Sequence, residues 1–91
     1  MKSESQADCS ADWVQIGKVV TVYFGTLKTI ATFENLPVPY QRISGATIPV
    51  TFRRSRDGAH LQGYFGSAGG NAVLSCPTNE LCYATLSYVT V

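Results

Sequence analysis

The chain has 91 residues, with seven basic and six acidic side chains and a formal net charge of +1. This length accommodates one domain, and the balanced charge gives no strong attraction to nucleic acid or to anionic membranes. Charged residues make up 14%, well below the roughly one quarter usual in soluble domains, and no apolar run approaches the length of a transmembrane helix. We therefore expect neither a nucleic-acid partner nor membrane insertion.

The first eleven residues are polar and lack the apolar core of a secretory signal peptide. We predict that residues 1–11 form a leader or linker and that residues 12–91 form a single domain. No long window in that domain has a helical period, and β-branched and aromatic residues alternate with polar ones. This alternation predicts strands over 12–17, 18–27, 28–36, 47–54, 59–66, 72–75 and 82–91.

The connection over 36–45 is predicted to be irregular or at a sheet edge, because Pro37 and Pro39 have no N–H for a ladder. Seven to eight short strands, with a turn about every ten residues, indicate an all-β antiparallel sandwich or small barrel. Of these we favour a small, jelly-roll-like antiparallel sandwich.

An arginine cluster lies within PVTFRRSRDGAH, from Pro49 to His60. The Asp57-Gly58 dipeptide between two alternating runs predicts a two-residue hairpin turn. Such a turn pairs Phe52 with Gly63 and directs Phe52 towards the core. The same register pairs Val50 with Phe65 and Arg54 with Leu61 on that face, and leaves Arg53, Ser55 and Tyr64 on the exposed one.

Two interpretations of the cluster remain open. The arginines either form a solvated tip that discourages edge-to-edge aggregation, or they contact a ligand. Arginine binds carboxylates and phosphates through two parallel hydrogen bonds, tyrosine packs on a sugar face, and binding residues concentrate on loops. The predicted ligand-binding residues are Arg53, Arg54, Arg56, Asp57, Tyr64, Asn71 and Tyr40.

Catalytic and metal-binding motifs are missing from the sequence. The only histidine is His60, so a Ser-His-Asp or Cys-His site lacks partners. The three cysteines, Cys9, Cys76 and Cys82, contain no CxxC pair, and we predict no enzyme, no metal and no cofactor. Cys76 and Cys82 flank a short loop and are either reduced thiols or a disulfide.

The succession DWVQIGKVVTVYFGTL, LPVPYQRISGATIPVTF, AHLQGYFG and CYATLSYVTV resembles the C-terminal β domain of bacteriophage tail fibres and tailspikes. The family's opening strand, W-x-x-x-G-x-V-V-x-V, is matched by Trp13, Gly17, Val19, Val20 and Val22. A Leu-Pro segment and a final strand with Ser-Tyr are matched by Leu36-Pro37 and Ser87-Tyr88.

The resemblance implies a homotrimer at the distal end of a fibre in the virion tail, made in the bacterial host cytoplasm. It would be a non-catalytic domain that binds a bacterial surface glycan, aligns the trimer, or does both, with the polar leader joined to an upstream shaft. Trimerisation also suits a chain this short, because a monomer of this size buries only about 60–65% of the surface that its unfolded chain exposes. The alternatives are a structural assembly module without a ligand and a secreted, monomeric domain with a Cys76–Cys82 disulfide.

Overall fold

The computed structural model describes residues 1–91 and contains eight β-strands and no helix. The strands are β1 Lys2–Ser5, β2 Cys9–Ile16, β3 Val19–Thr26, β4 Ile30–Phe33, β5 Gly45–Arg54, β6 His60–Ala68, β7 Asn71–Ser75 and β8 Cys82–Val89. The prediction of an all-β fold with seven to eight strands is confirmed. No segment forms a helix that could span a membrane.

All eight strands belong to one antiparallel sheet in the order β1-β2-β3-β8-β5-β6-β7-β4. The sheet curves into a nearly closed, barrel-like shape, which is the second of the two architectures that the strand pattern allows. Its weakest join is central, because β5 pairs with β8 only at Arg53↔Tyr83 and Arg54↔Cys82. The two four-stranded halves on either side of this short ladder share one core, in which Phe24 of β3 contacts Phe65 of β6.

The first eleven residues form β1 and the start of β2 instead of the predicted linker. Cys9 and Ala11 are buried and alternate with the polar Ser10 and Asp12, which is the alternation of a half-buried strand. The pattern is hard to recognise in the sequence because the inward residues are small and only weakly apolar.

Side chains close the remaining gap between the two edge strands, β1 and β4. The Glu4 carboxylate on β1 accepts hydrogen bonds from the backbone N–H groups of Glu34 at 3.0 Å, Asn35 at 2.9 Å and Leu36 at 3.3 Å, just beyond β4. The Gln6 amide donates to the Thr32 carbonyl. The two edges are therefore joined without a backbone ladder between them.

The core contains a chain of aromatic rings that crosses between the halves of the sheet. Ring centroids are 5.7 Å apart for Phe24 and Phe33, 5.4 Å for Phe24 and Phe65, and 4.9 Å for Phe65 and Tyr88. The prediction that Phe52 and Phe65 face the core is confirmed, since both are fully buried.

The segment after Leu36 is irregular, as predicted, and packs along the end of β8. The Tyr88 hydroxyl donates to the Pro37 carbonyl at 2.6 Å, and the Thr90 hydroxyl donates to the Val38 carbonyl at 2.6 Å. The Tyr40 N–H donates to the Val89 carbonyl at 2.7 Å. The Val89 bond and the Pro39↔Thr90 bridge place this segment beside the end of β8, where the strand is no longer paired with β5.

The β5–β6 hairpin has a longer loop than the sequence predicts. The register pairs Phe52 with Leu61 and Val50 with Gly63, one pair away from the predicted register. Because the shift moves the partner by two residues, every side chain keeps its predicted face. The loop begins after Arg54, whose N–H donates to the Ala59 carbonyl at 2.8 Å. A side-chain network in this loop explains the longer connection.

Candidate functional site

Two of the three clustered arginines are held by acidic residues of the chain itself. The Arg54 guanidinium donates to both carboxylate oxygens of Asp57, at 3.0 and 2.7 Å, and contacts Glu80 at 3.3 Å. Arg56 contacts the other oxygen of Glu80 at 3.1 Å. Asp57 also accepts the N–H of Ala59 at 3.0 Å, which shapes the loop. For Arg54, Arg56 and Asp57 the arrangement favours a structural role at the hairpin tip.

This network makes the Asp57 carboxyl a stronger acid. The Arg54 hydrogen bonds, followed by the backbone N–H of Ala59, hold the pKa of Asp57 well below its usual range. We expect its carboxyl signal to titrate well below the ordinary value of about 3.9. Because the folded-state pKa is the lower one, the interaction stabilises the loop fully above the unfolded-state pKa. It is lost as the pH falls through the folded-state pKa.

An NMR titration of the Asp57 carboxyl checks this prediction. Arg54→Gln should return the Asp57 pKa towards its ordinary value, whereas Arg56→Gln should have a smaller effect, because Arg56 pairs with Glu80. An unchanged titration of Asp57 in Arg54→Gln would contradict the assigned cause.

Arg53 differs from its two neighbours because it has no acidic partner. It is exposed on the outer face of β5, and none of the three ion pairs in the structure includes it. Its cross-strand partners are His60 on β6 and Tyr83 on β8, so the three side chains form a row across the sheet. Among the predicted site residues, Arg53 is the arginine left free to bind a ligand.

A cleft opens beside this row because the β5–β8 ladder stops at Arg53↔Tyr83. We call it the β5–β8 cleft. It has a volume of about 260 Å³, and its lining residues are Thr51, Phe52, Arg53, His60, Tyr83, Ala84 and Thr85. Phe52 and Ala84 are buried at the floor of this space, while the polar lining residues are exposed. A guanidinium, an imidazole, a phenol and two hydroxyl groups therefore surround one shallow space, with no carboxylate among them.

Arg53 is the only lining residue of this cleft that the sequence assigned to a site, and Tyr83 is the main addition. Its ring packs over Gly25 on β3, where an added Cβ would lie 3.5 and 3.6 Å from two ring carbons. Packing on one side orients the ring, and 51% of the residue stays exposed. Strand alternation after buried Cys82 places Tyr83 on the outer face, but its position beside Arg53 depends on the pairing of β5 with β8.

The other predicted residues lie apart from the cleft. Tyr64 is on the same outer face, but it pairs with Pro49 and is four residues along β6 from His60, or about 13 Å. Asn71 begins β7, and Tyr40 bonds to the end of β8. Strand directions place Asn71 and Tyr40 at the end of the sheet opposite the arginine hairpin. The predicted ligand-binding residues therefore do not lie together in one site.

The cysteines are free and buried, and they form no part of the cleft. Burial, with the neighbouring Cys76 thiol as a smaller cause, raises the pKa of Cys82 to about 11. The thiolate, which is the reactive form, is therefore scarce at neutral pH. No group of three or more His, Cys, Asp or Glu side chains is placed to hold a metal ion.

Comparison with known proteins gives no match, whether with family models, curated proteins or solved structures. The site is therefore assigned from its own geometry and chemistry.

Proposed function

We propose that this domain is a non-catalytic receptor-binding module that recognises a bacterial surface carbohydrate. The observation that supports the proposal most directly is that Arg53, which has no acidic partner, and half-exposed Tyr83 are cross-strand neighbours that line the same cleft. The resemblance to the distal domains of phage tail fibres and tailspikes supports the same function. In this proposal the domain acts in the virion tail, joined to an upstream shaft.

The lining of the β5–β8 cleft suits an acidic sugar. Arg53 can form paired hydrogen bonds with a carboxylate or a phosphate. Tyr83 can pack its ring on the apolar face of a pyranose, and the side chains of Thr51, His60 and Thr85 can bond to sugar hydroxyl groups. Shallow, open sites of this kind bind through a few well-placed groups, so each of the two main residues should matter.

Binding to a glycan array and to bacterial cells tests the cleft. We expect Arg53→Ala and Tyr83→Ala each to weaken binding at least tenfold, which corresponds to about 1.4 kcal/mol. Arg42→Ala is the matched control, because it removes one positive charge from an exposed residue outside the cleft lining. Unchanged binding in both cleft variants would refute the site, and equal loss in the control would indicate a general charge effect.

A second candidate function, trimer assembly, is favoured by an exposed apolar row on the outer face of β2, β3 and β8. Ile16, Val19 and Val89 are register neighbours and are 77%, 50% and 52% exposed. Val14 extends the patch along β2. We propose that this face packs in a homotrimer, in which the bent sheet serves as a jelly-roll-like sandwich.

Light scattering on the purified domain separates the two functions. We expect a trimer for the wild type, dissociation for Val19→Lys, and a retained trimer for Ile30→Lys, a control on the exposed face of β4. A monomeric wild type would contradict the assembly proposal. A trimer that binds no glycan or cell would leave assembly as the sole function.

A further inference from the structure

A second groove lies on the other side of Tyr83. It has a volume of about 290 Å³ and lies between the β1–β2 turn and the end of β3, lined in part by Ser5, Asp8, Ser10 and Leu27. We call it the Asp8 groove. Tyr83 lines both this groove and the β5–β8 cleft. The exposed ring is therefore a shared surface between two neighbouring depressions.

The sizes of the two depressions argue for a ligand that occupies both. Both volumes lie at the bottom of the range for ligand pockets, which begins at about 300 Å³. A compact ligand confined to one of them would leave much of its surface in water. The row from Arg53 through Tyr83 and Gly25 to Ser10 crosses three strand spacings, or about 14 Å. A chain-like ligand matches that length better than a single ring does.

The β5–β8 cleft and the Asp8 groove differ in charge, so they favour different parts of a ligand. Arg53 in the β5–β8 cleft has no acidic partner, and Asp8 on the far side of Tyr83 takes part in no ion pair. An anionic group is attracted at the first position and repelled at the second. An uncharged unit with hydroxyl or amide groups can instead bond to the Asp8 carboxylate and to Ser10.

We infer, building on the proposed function, that the ligand is an oligosaccharide that crosses Tyr83, with an acidic unit in the β5–β8 cleft and an uncharged unit in the Asp8 groove. Both depressions and the ring between them then form one binding surface. Leu27, which is exposed in the Asp8 groove, contacts only the second unit.

NMR titration of the full chain with sugars of defined length tests the inference. The probes are glucuronic acid, a tetrasaccharide in which glucuronic acid alternates with N-acetylglucosamine, and the all-acidic trimer of galacturonic acid. We expect the tetrasaccharide to bind at least tenfold more tightly than the monosaccharide and to shift the amide signals of both grooves. Leu27→Ala should weaken tetrasaccharide binding several-fold and leave monosaccharide binding unchanged. Asp8→Asn should improve binding of the all-acidic trimer alone.

The outcomes distinguish this inference from the function on which it rests. Equal affinity for all three probes, lost in Arg53→Ala but not in Leu27→Ala, would overturn the two-groove ligand and leave the β5–β8 cleft as the glycan site. No shift at the cleft with any probe at millimolar concentration would overturn both. Ile30→Ala, on the outer face of β4, is the control for a general effect of removing an exposed apolar side chain.

Discussion

Gly63→Ala is expected to destabilise the domain by about 3 kcal/mol, the upper end of the usual cost of overpacking. Gly63 is buried in β6 opposite Val50, and its φ angle is not in the left-handed region. The requirement is for space: an added Cβ would overlap the Phe52 ring and the Ser75 carbonyl oxygen. Neither can move easily, because the ring is fully buried and the carbonyl belongs to the neighbouring strand.

Urea unfolding at equilibrium measures this effect. Gly25→Ala is the matched control, since Gly25 also lies within a strand and an added Cβ there would meet its nearest atoms at 3.4 to 3.6 Å. We expect the control to change the free energy of unfolding by less than about 1 kcal/mol. If the two variants have equal stability, the close approach at Gly63 is not a constraint on the fold.

Phe65→Ala is expected to cost about 3–5 kcal/mol, the range for removing a buried aromatic side chain. The Phe65 ring is fully buried and lies between Phe24 and Tyr88, so its loss leaves a cavity and removes two ring contacts. Whole domains are commonly stable by only about 5–15 kcal/mol. A short chain such as this one should therefore lose most of its stability.

Unfolding curves followed by the fluorescence of buried Trp13 provide the measurement. Phe65→Leu should cost less than Phe65→Ala, because it keeps most of the volume. Tyr64→Ala, at the adjacent exposed position, should change the free energy of unfolding by about 0.5 kcal/mol or less. A loss at Tyr64 as large as that at Phe65 would mean that the alternation of faces along β6 has been misassigned.

The faces of the β5–β6 hairpin could be predicted because they depend on local alternation. Phe52 and Phe65 point inwards and Arg53 and Tyr64 outwards, although the predicted register was one pair away from the observed one. Side chains alternate between the two faces of a strand, so a shift of the partner strand by two residues leaves every side chain on its predicted face. The Asp57-Gly58 turn signal correctly located the hairpin, but its loop length depends on Arg54 and Ala59 bonding to Asp57.

The alternating pattern was also sufficient to predict the class of fold, but it did not reveal the strands at the N-terminus. Alternating β-branched and aromatic residues predicted the all-β class, because each strand must bury one face. The same rule failed for β1 and the start of β2, where Cys9 and Ala11 are the only buried residues. Glu4 then bonds to backbone groups about 30 residues away, which no local pattern indicates.

By itself, the sequence determined the all-β class, the inward and outward faces of most strands and the place of the main hairpin, because these follow from neighbouring residues. Only the tertiary structure decided which arginine is free. Glu80 reaches Arg54 and Arg56 from the β7–β8 loop, 26 residues from Arg54, and leaves Arg53 unpaired. It also decided where the cleft lies, because β5 and β8 separate beyond Arg53 and Tyr83. Such pairings join distant parts of the chain, and the packing of the whole sheet selects them.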